Sequence, residues 1–468
     1  MELDPILLSR IQFAFVVSFH AIFPVFTIGL ASFIAFLEFR AWKTGETIYT
    51  QISKFWIKIF AVVFGMGVVS GLVMSFQFGT NWSAFSYATA NFLGPVLSYE
   101  VLTAFFLEAA FLGVLLFGRD RVPQGVHLFA ALMVALGTFI SSFWILVANS
   151  WMQTPVGFEL QDGVFHVTSW ITAIFNPSFW PRFFHMGLAS LLTAGFVVAG
   201  VSAWYLLRQR DVVMNRKALG TTMWVLLFAA PAQLVVGDIH GLNTFEHQPT
   251  KVAAMEGVWE TERGAPLLLF AIPDSANETN HFEIGIPKMA SFILTHEMDG
   301  EVPGLLEVPA EERPPVGITF WSFRIMVAIG MVMILFVLAG AWLRFRRRMY
   351  ASPRFLRGLS WMIPAPFIAV VAGWFVTETG RAPWLVYGVM NHAEGITPAL
   401  TGGMALFTLI GYVAVYAAVF TGGVYYLVRI VRQGPEPADA THAAAHAKRP
   451  LSAADTWIDD AAASGERS

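Results

Sequence analysis

Long runs of apolar residues recur along the chain and are separated by short polar segments. A run of about 18 or more apolar residues is long enough to cross the hydrocarbon core of a bilayer as an α-helix. The pattern therefore predicts an all-α polytopic membrane protein with nine transmembrane helices. The predicted windows are residues 11–37, 55–77, 96–117, 126–148, 183–207, 219–237, 318–343, 358–376 and 399–428.

Basic residues are unevenly distributed between the segments that join these windows. Of the 29 Lys and Arg residues, 21 lie in alternate loops and the C-terminal segment, and cytoplasmic loops retain such residues. With an odd number of spans, this bias predicts a periplasmic (outer) N-terminus and a cytoplasmic C-terminus. Glu2 and Asp4 stand where a signal peptide has a basic leader, so we expect the first window to remain in the mature protein.

The windows divide the chain into four predicted regions. Residues 1–237 hold helices one to six, and residues 318–432 hold helices seven to nine. Between them, residues 238–317 form a long outer loop with several prolines, and loops of this length are commonly functional. Residues 433–468 lack apolar periodicity and are predicted to form a disordered cytoplasmic tail.

Composition restricts the kinds of function that are possible. The chain is 56% hydrophobic and 13% charged, well below the roughly 25% charged residues of soluble domains. A net charge of −3 argues against nucleic acid as a partner. The absence of cysteine excludes disulfides, zinc–thiolate sites, iron–sulfur clusters and covalently attached haem. His442 and His446 in the Ala-rich tail are interpreted as solvated rather than metal-binding.

Three of the eleven histidines fall within the predicted windows, namely His20, His127 and His185. His127 lies at the cytoplasmic end of the fourth window, where we expect an interfacial side chain. His20 and His185 lie deeper. Each is either a partner in a helix–helix hydrogen bond or a ligand of a metal or haem, and residue type alone leaves both interpretations open.

The third window contains two carboxylates, Glu100 and Glu108. In a regular helix they would be separated by about 12 Å along the axis and about 80° around it. That separation is too large for a shared-proton dyad but suits two stations of a proton path, with Ser141 on the next window as a hydroxyl relay. The alternatives are a solvated Glu100 at the outer interface and a Glu108 that only makes a packing hydrogen bond.

Two further windows contain charged or sulfur-bearing side chains. At the end of the eighth, Trp374 and Glu378 are spaced i, i+4, and Arg381 follows Glu378 at i+3, so a structural salt bridge competes with a functional role. The seventh opens with FWSFRIM, in which Met326 alone would be ordinary filling. A haem–copper oxidase or a paired-histidine cytochrome b would need more membrane histidines.

Several strings in order resemble subunit I of cytochrome bd-type quinol oxidases. They are SRIQFAFVVSFHAIFP around His20, FQFGTNWS, WILVANSWMQTP, FRIMVA around Met326, and GWFVTETGRAPW, and the resemblance extends to about residue 432. Without it, the remaining hypotheses are a proton-coupled secondary transporter without a redox cofactor and a non-catalytic structural membrane subunit.

The resemblance implies a set of haem ligands. His185 and Met326 match the axial pair of a low-spin haem b, an arrangement that raises the reduction potential relative to two histidines. His20 and Glu378 match ligands of two high-spin haems, one haem b and one haem d or a further haem b in its place. Glu100 lines or ligates this pair. Which of His20 and Glu378 serves the oxygen-reducing haem stays open.

Other matches imply roles around these haems. Arg324 and Arg381 would pair with haem propionates, and Trp374 resembles a tryptophan between haems. The outer loop resembles the family's Q-loop, which begins at Asp238 here. Within it, Lys251 and Glu256 match residues tied to quinol oxidation, where a carboxylate can accept a quinol proton.

The implied function is that of a terminal oxidase subunit in a bacterial cytoplasmic (inner) membrane. Ubiquinol or menaquinol would be oxidised at the outer face, and dioxygen would be reduced to water with cytoplasmic protons, which generates a proton-motive force without pumping. The implied partners are subunit II, a small single-helix accessory subunit and the lipid bilayer. The loop resembles the short Q-loop, cyanide-insensitive-type branch, in which a haem b can replace haem d.

Overall fold

A computed structural model describes residues 3–435, and within this range nine helices are long and apolar enough to cross a membrane. The nine predicted spans are therefore confirmed. Their bounds are Pro5–Thr44, Thr47–Ser75, Ala90–Phe117, Gln124–Gln153, Phe179–Leu207, Val212–His247, Val316–Phe345, Pro353–Thr379 and Gly402–Gln433. Most of the predicted tail, with His442 and His446, lies outside the described residues.

Span one is the central helix of the bundle. It packs against spans two, four, five, eight and nine. Close approach to span five depends on Gly29, because a Cβ there would lie 2.1 Å from the carbonyl oxygen of Ser190. The helix begins at the N-cap Asp4, whose carboxylate accepts from the backbone N–H of Ile6 at 2.8 Å, and ends at Gly45 in the left-handed region.

Span three is not a uniform α-helix. Its α-helical parts, Ala90–Glu100 and Phe106–Phe117, flank a π-helical turn, Val101–Phe105. A π turn takes one additional residue per hydrogen-bonded ring, so residues beyond it are set back by about 100°. The regular-helix angle of about 80° between Glu100 and Glu108 is therefore wrong, and both carboxylates lie toward one face.

Span six corrects the predicted start of the outer loop. The helix continues to His247, ten residues beyond the predicted window. Asp238 is consequently helical and does not begin the loop. His240 and His247 also lie within this helix, so the count of three histidines in the spans was too low. Asp238, His240 and Asn243 within this stretch lower the apolar signal by which the window was delimited.

Span eight is interrupted. Pro353–Trp361 and Ala365–Thr379 are separate helices, and Pro364 lies at the junction, where a proline suits the start of the second helix. The second helix ends at Thr379, so Arg381 lies just beyond it.

The outer loop folds into short elements packed on the bundle. Its helices are Pro249–Glu256 and Met289–Thr295, and its main hairpin pairs Leu267–Asp274 with Thr279–Ile286 in antiparallel register.

The remaining short helices and turns of the described chain are Gln77–Thr80, Ser83–Ala88, Trp170–Ile174, Leu305–Glu307, Ala310–Glu312, Met349–Ala351 and His392–Gly395. The other strand pairs are Phe158–Gln161 with Val164–Val167, Glu262–Arg263 with Glu301–Val302, and Trp384–Val386 with Met390–Asn391.

The expectation that His127 is interfacial is wrong. Its side chain is buried, with Nδ1 at 3.1 Å from the Glu38 carboxylate and Nε2 at 3.1 Å from the carbonyl oxygen of Leu115. Glu38 is fully buried and is also paired with Arg119 and hydrogen-bonded to Ser53. The polar partners come from other spans, which is why the position of His127 near a helix end did not reveal its burial.

Candidate functional site

His20 projects from span one toward span two. Its Nδ1 lies 2.9 Å from the hydroxyl of Ser70, which in turn donates to the carbonyl oxygen of Gly67 at 3.0 Å. The ring lies against Gly71, where a Cβ would come within 2.9 Å of the imidazole Cε1. Ser70 therefore orients the imidazole through Nδ1 and leaves Nε2 available for a ligand.

His185 lies on span five and faces span six. Its Nε2 is 3.2 Å from the amide nitrogen of Gln233, while its Nδ1 is buried without a hydrogen-bond partner. The imidazole of His240 packs edge-on against it at a centroid distance of 5.3 Å. A buried imidazole nitrogen without a partner is uncommon, and it fits the sequence-based interpretation of His185 as a ligand of a metal or haem.

Met326 lies on span seven and faces span eight. A Cβ at Gly373 would come within 3.0 Å of its Sδ, so the thioether occupies the space that glycine leaves. Trp374, the next residue on span eight, is half-buried. His185 and Met326 thus project from different helices, and each lies beside a glycine-bearing position of the neighbouring span, Gly237 and Gly373 respectively.

Glu378 is at the centre of a polar cluster at the end of span eight. The amide of Asn149 donates to its Oε1 at 2.7 Å, and the guanidinium of Arg381 donates to its Oε2. Arg182 from span five also interacts electrostatically with Glu378 and Arg381. The i+3 pairing expected between Glu378 and Arg381 is present even though the helix ends between them.

Lys251 joins this cluster from the outer loop. Its ammonium donates to the side-chain oxygen of Gln153 at 2.7 Å and to the carbonyl oxygen of Thr377 at 3.1 Å. Burial, together with the nearby guanidiniums of Arg182 and Arg381, holds the pKa of Lys251 well below its usual value. A residue predicted for the quinol site therefore lies beside residues predicted for a haem.

The cluster around Glu378 has an excess of positive charge and several hydrogen-bond donors without an acceptor. Two guanidiniums face one carboxylate, so positive charge is in excess whether or not Lys251 is protonated. Arg182 Nε and Arg381 Nε and Nη1 are buried without hydrogen-bond partners, and a small cavity of about 60 Å³ borders Lys251 and Arg381. Buried guanidinium N–H groups left in this way fit an anionic carboxylate or phosphate.

Glu256 and Arg324 form a second buried pair nearby. Arg324 Nη2 donates to the Glu256 carboxylate at 2.8 Å, and its Nε donates to the carbonyl oxygen of Leu268 on the hairpin. Nη1 of Arg324 is buried without a partner. The pair connects the outer loop to span seven, two residues before Met326. In this structure Arg324 is thus paired with the predicted quinol-site carboxylate.

Glu100 and Glu108 face span four. The hydroxyl of Ser141 donates to the Glu100 carboxylate at 2.7 Å. Glu108 is 6% exposed and lies against Gly137, where a Cβ would be 2.5 Å from the Glu108 Cγ. Ser141 and Gly137 are one helical turn apart, so span four contacts both carboxylates with one face.

Several residues of these clusters were not singled out from the sequence. Asn149 and Gln153 lie within the WILVANSWMQTP string but received no role, and Arg182 lies three residues before His185. A cation in an apolar helix is a signal that could have identified Arg182. His240 was missed because it was assigned to a loop. In the described range no three His, Asp or Glu side chains converge as a multidentate metal site.

Comparisons with known proteins agree on one family. Residues 8–435 match the model of the family described as cytochrome bd terminal oxidase subunit I. The chain is 38% identical to a cytochrome bd ubiquinol oxidase subunit 1 of Bacillus subtilis, over 93% of this chain and 95% of the relative. It is 34% identical to the cytochrome bd-II ubiquinol oxidase subunit 1 of Escherichia coli, over 92% and 97%.

A solved structure has the same fold. The bd oxidase of Geobacillus thermodenitrificans superimposes with a TM-score of 0.85 at 32% sequence identity, and the match covers 93% of this chain and 100% of that one. A second Bacillus subtilis relative, a putative cytochrome bd menaquinol oxidase subunit I, is 30% identical over 93% of this chain.

Proposed function

This chain belongs to the cytochrome bd terminal oxidase subunit I family, and we propose which of its residues hold the haems, which bind quinol and which carry protons. It is a multi-pass membrane protein and a subunit of a quinol oxidase that ends a respiratory chain. The observation that supports the assignment best is the set of buried, unpaired donors around Glu378, because no residue between 3 and 435 satisfies them.

His185 and Met326 are proposed to hold the low-spin haem b. The unpaired Nδ1 of His185 and the thioether packed on Gly373 support this pairing. Held by these two side chains, the haem would supply electron transfer and no place for dioxygen.

His20 and Glu378 are proposed to ligate the two high-spin haems, with Glu100 lining the same pair. Ser70 orients His20, while Asn149 and Arg381 orient Glu378. The unpaired N–H groups of Arg182 and Arg381 are suited to propionate carboxylates, and Trp374 is proposed to lie between haems. When bound, the haems supply one-electron transfer and, where an axial position is free, a place for dioxygen reduction.

The quinol site is proposed at the pair Glu256–Arg324 with Lys251. A quinol loses two protons with two electrons, and Glu256 is a buried carboxylate that can accept a proton. Arg324 keeps this carboxylate in place and links it to span seven, which bears Met326. Relatives are named for ubiquinol and for menaquinol, and the proposal covers either quinol.

Protons for water formation are proposed to pass along span four. Glu108 and Glu100 contact its Gly137 and Ser141, respectively. Reduction of one dioxygen to two waters takes four electrons and four protons, hence two quinols. With the N-terminus outside and the C-terminus cytoplasmic, quinol protons released outside and protons taken from the cytoplasm would build a proton-motive force without pumping.

Subtype and partners are part of the same proposal. A short Q-loop, cyanide-insensitive-type member is proposed from the outer loop itself, which runs only from Gln248 to Pro315 between spans six and seven. Spans three, seven and nine are the least buried within the described chain, which leaves surface for subunit II and a small single-helix accessory subunit besides lipid.

A visible spectrum and a pyridine haemochrome assay of the purified complex test this function. We expect a Soret band, a low-spin haem b and two high-spin haems, and the haemochrome distinguishes haem d from a further haem b. A complex of full subunit composition without a Soret band would overturn the proposal and favour a proton-coupled transporter or a structural subunit.

A further inference from the structure

A basic pocket lies at the opposite end of the bundle from Glu378, where spans two, six and seven meet the short turn Met349–Ala351. Its volume is about 540 Å³, within the range of small-molecule sites. The lining residues that matter here are Glu46, Arg216, Lys217, Trp224, Arg344 and Tyr350. The basic-residue bias assigns this end to the cytoplasm.

The pocket has free positive charge. Lys217 is paired with Glu46, with the ammonium 2.9 Å from the carboxylate. Arg216 and Arg344 have no acidic partner among the lining residues, so the pocket has a net charge of +2. Arg344 instead donates to the carbonyl oxygen of Gly220 at 3.2 Å and lies over the Trp224 ring at 5.3 Å. Two guanidiniums without carboxylates suit a phosphate group.

Glycine at position 220 brings the polar groups together. A Cβ there would lie 2.5 Å from the Tyr350 hydroxyl and 3.3 Å from Arg344 Nη1. Arg216, one turn away, has its guanidinium 5.7 Å from the centre of the Tyr350 ring. Arg216, Arg344 and the Tyr350 hydroxyl therefore converge on the same face of span six.

That face becomes apolar toward the middle of the membrane. Arg216, Gly220, Trp224 and Phe228 follow at intervals of four residues, each about 6 Å further along the helix. Trp224 and Phe228 are stacked with their ring centroids 6.5 Å apart, and they are 50% and 71% exposed. Along span six, the charged side chains therefore lie at the depth of a lipid phosphate and the Trp224 indole at the membrane interface. The Phe228 ring lies at the depth of the acyl chains.

We propose that this basic pocket binds the phosphodiester headgroup of an anionic phospholipid, with an acyl chain along Trp224 and Phe228. The charge selects anionic over zwitterionic lipid, because each cationic side chain near the headgroup favours an anionic one. A free anion would engage only Arg216 and Arg344 and would leave the exposed aromatic strip unused. The site is independent of the proposed haem and quinol sites.

Native mass spectrometry of the intact, delipidated oxidase complex tests the proposal. The probes are phosphatidylglycerol and phosphatidylcholine of identical acyl chains. The pocket variant is Arg216→Gln with Arg344→Gln. Its matched control removes the same charge outside the pocket, from the basic segment that follows Arg344, as Arg346→Gln with Arg348→Gln. Haem content shows that each complex is assembled, and Arg216→Gln alone replaces the double variant if that variant fails to assemble.

We expect the affinity for phosphatidylglycerol to fall at least about tenfold in the pocket variant and less than about threefold in the control. Phosphatidylglycerol should also raise the unfolding temperature of the wild-type complex but not that of the pocket variant. Equal retention in both variants, or equal binding of the two lipids, would overturn the proposal. An unfolding temperature raised as much by inorganic phosphate would instead identify a free-anion site.

Discussion

The hydroxyl of Ser141 on span four donates a 2.7 Å hydrogen bond to the carboxylate of Glu100 on span three. The sequence predicted this hydroxyl as a relay of the proton path formed by both carboxylates, whereas Glu108 contacts Gly137, one turn away. The two carboxylates are therefore supported differently. Glu100 is held by a donor, whereas Glu108 fills a space that a glycine leaves.

Glu108→Gln should slow oxygen reduction after the electrons have reached the haems. Gln keeps the size and a hydrogen-bonding capacity but cannot carry a proton, so we expect a rate about tenfold to a hundredfold lower. Glu108→Asp should retain part of the rate. Time-resolved absorption of the fully reduced enzyme mixed with oxygen measures this step, and an unchanged rate at full haem content would contradict a proton-carrying role.

Gly137→Ala should have a similar but weaker effect without removing any ionisable group. The new methyl group would lie 2.5 Å from the Glu108 Cγ, so the side chain must move, at a cost of about 1–3 kcal/mol of stability. Gly113→Ala on span three is the control, since a Cβ there meets nothing within 4 Å. Gly137→Ala should unfold at a lower temperature and reduce oxygen more slowly than Gly113→Ala. Identical behaviour of the two variants would count against the close contact.

His185→Ala and Met326→Leu should each abolish the same low-spin component of the reduced-minus-oxidised spectrum. Each change removes one of the two proposed axial bonds, so the six-coordinate state is lost. The high-spin components should persist in both variants, which serves as the internal control for folding. Survival of the low-spin band at full amplitude in either variant would show that the ligand is wrongly assigned.

Glu256→Gln and Lys251→Ala should depress quinol oxidation at least about tenfold. Haem content and oxygen uptake with an artificial donor that reduces the haems directly should be unchanged for Glu256→Gln. Glu311→Gln, an exposed carboxylate of the same loop, should match the wild type. Lys251 contacts the Glu378 cluster, so loss of a high-spin haem in Lys251→Ala alone would assign that residue to the haem rather than to quinol.

Acid should destabilise the protein through His392. Burial, with Arg10 and Arg381 nearby, lowers the pKa of His392 to about 3 from 6.5. Above pH 6.5 the imidazole is neutral in both folded and unfolded chains. As the pH falls from 6.5 toward 3, only the unfolded chain binds the proton, so stability decreases by about 2 kcal/mol at pH 5.

The unfolding temperature of the complex between pH 7.5 and pH 5 measures this effect. His392→Asn should reduce the acid-dependent loss, whereas His296→Asn, which changes an exposed histidine of the outer loop, should leave it as in the wild type. Equal pH profiles for the His392 variant and the wild type would show that this imidazole is not the acid-sensitive group.

The sequence alone determined the class, the number of spans and the family. Apolar runs of sufficient length have only one common solution in a bilayer, because every backbone N–H and C=O must be satisfied within the segment. Strings such as those around His20 and Met326 identified the family because several of them occur in order along the chain. These properties depend only on the order of residues along the chain, so they can be recognised without knowledge of how the helices pack.

Span boundaries and helix phase depended on tertiary structure. The end of span six at His247 and the π turn between Glu100 and Glu108 are not visible in the hydropathy of the chain. Whether a helix continues past its apolar stretch is decided by what covers it, here the outer loop and span five. A π turn is likewise compatible with apolar residues that would equally form a regular α-helix.

The partners of each polar side chain were decided by tertiary structure alone. Glu378 and Lys251 are more than a hundred residues apart in the sequence but lie in one cluster. Glu256, expected only at the quinol site, forms an ion pair with Arg324. His127 was expected at an interface but is enclosed with Glu38. A side chain becomes buried or paired because helices far apart in the sequence pack against each other. The residue pattern of one helix does not show which charged side chain of another helix it will contact.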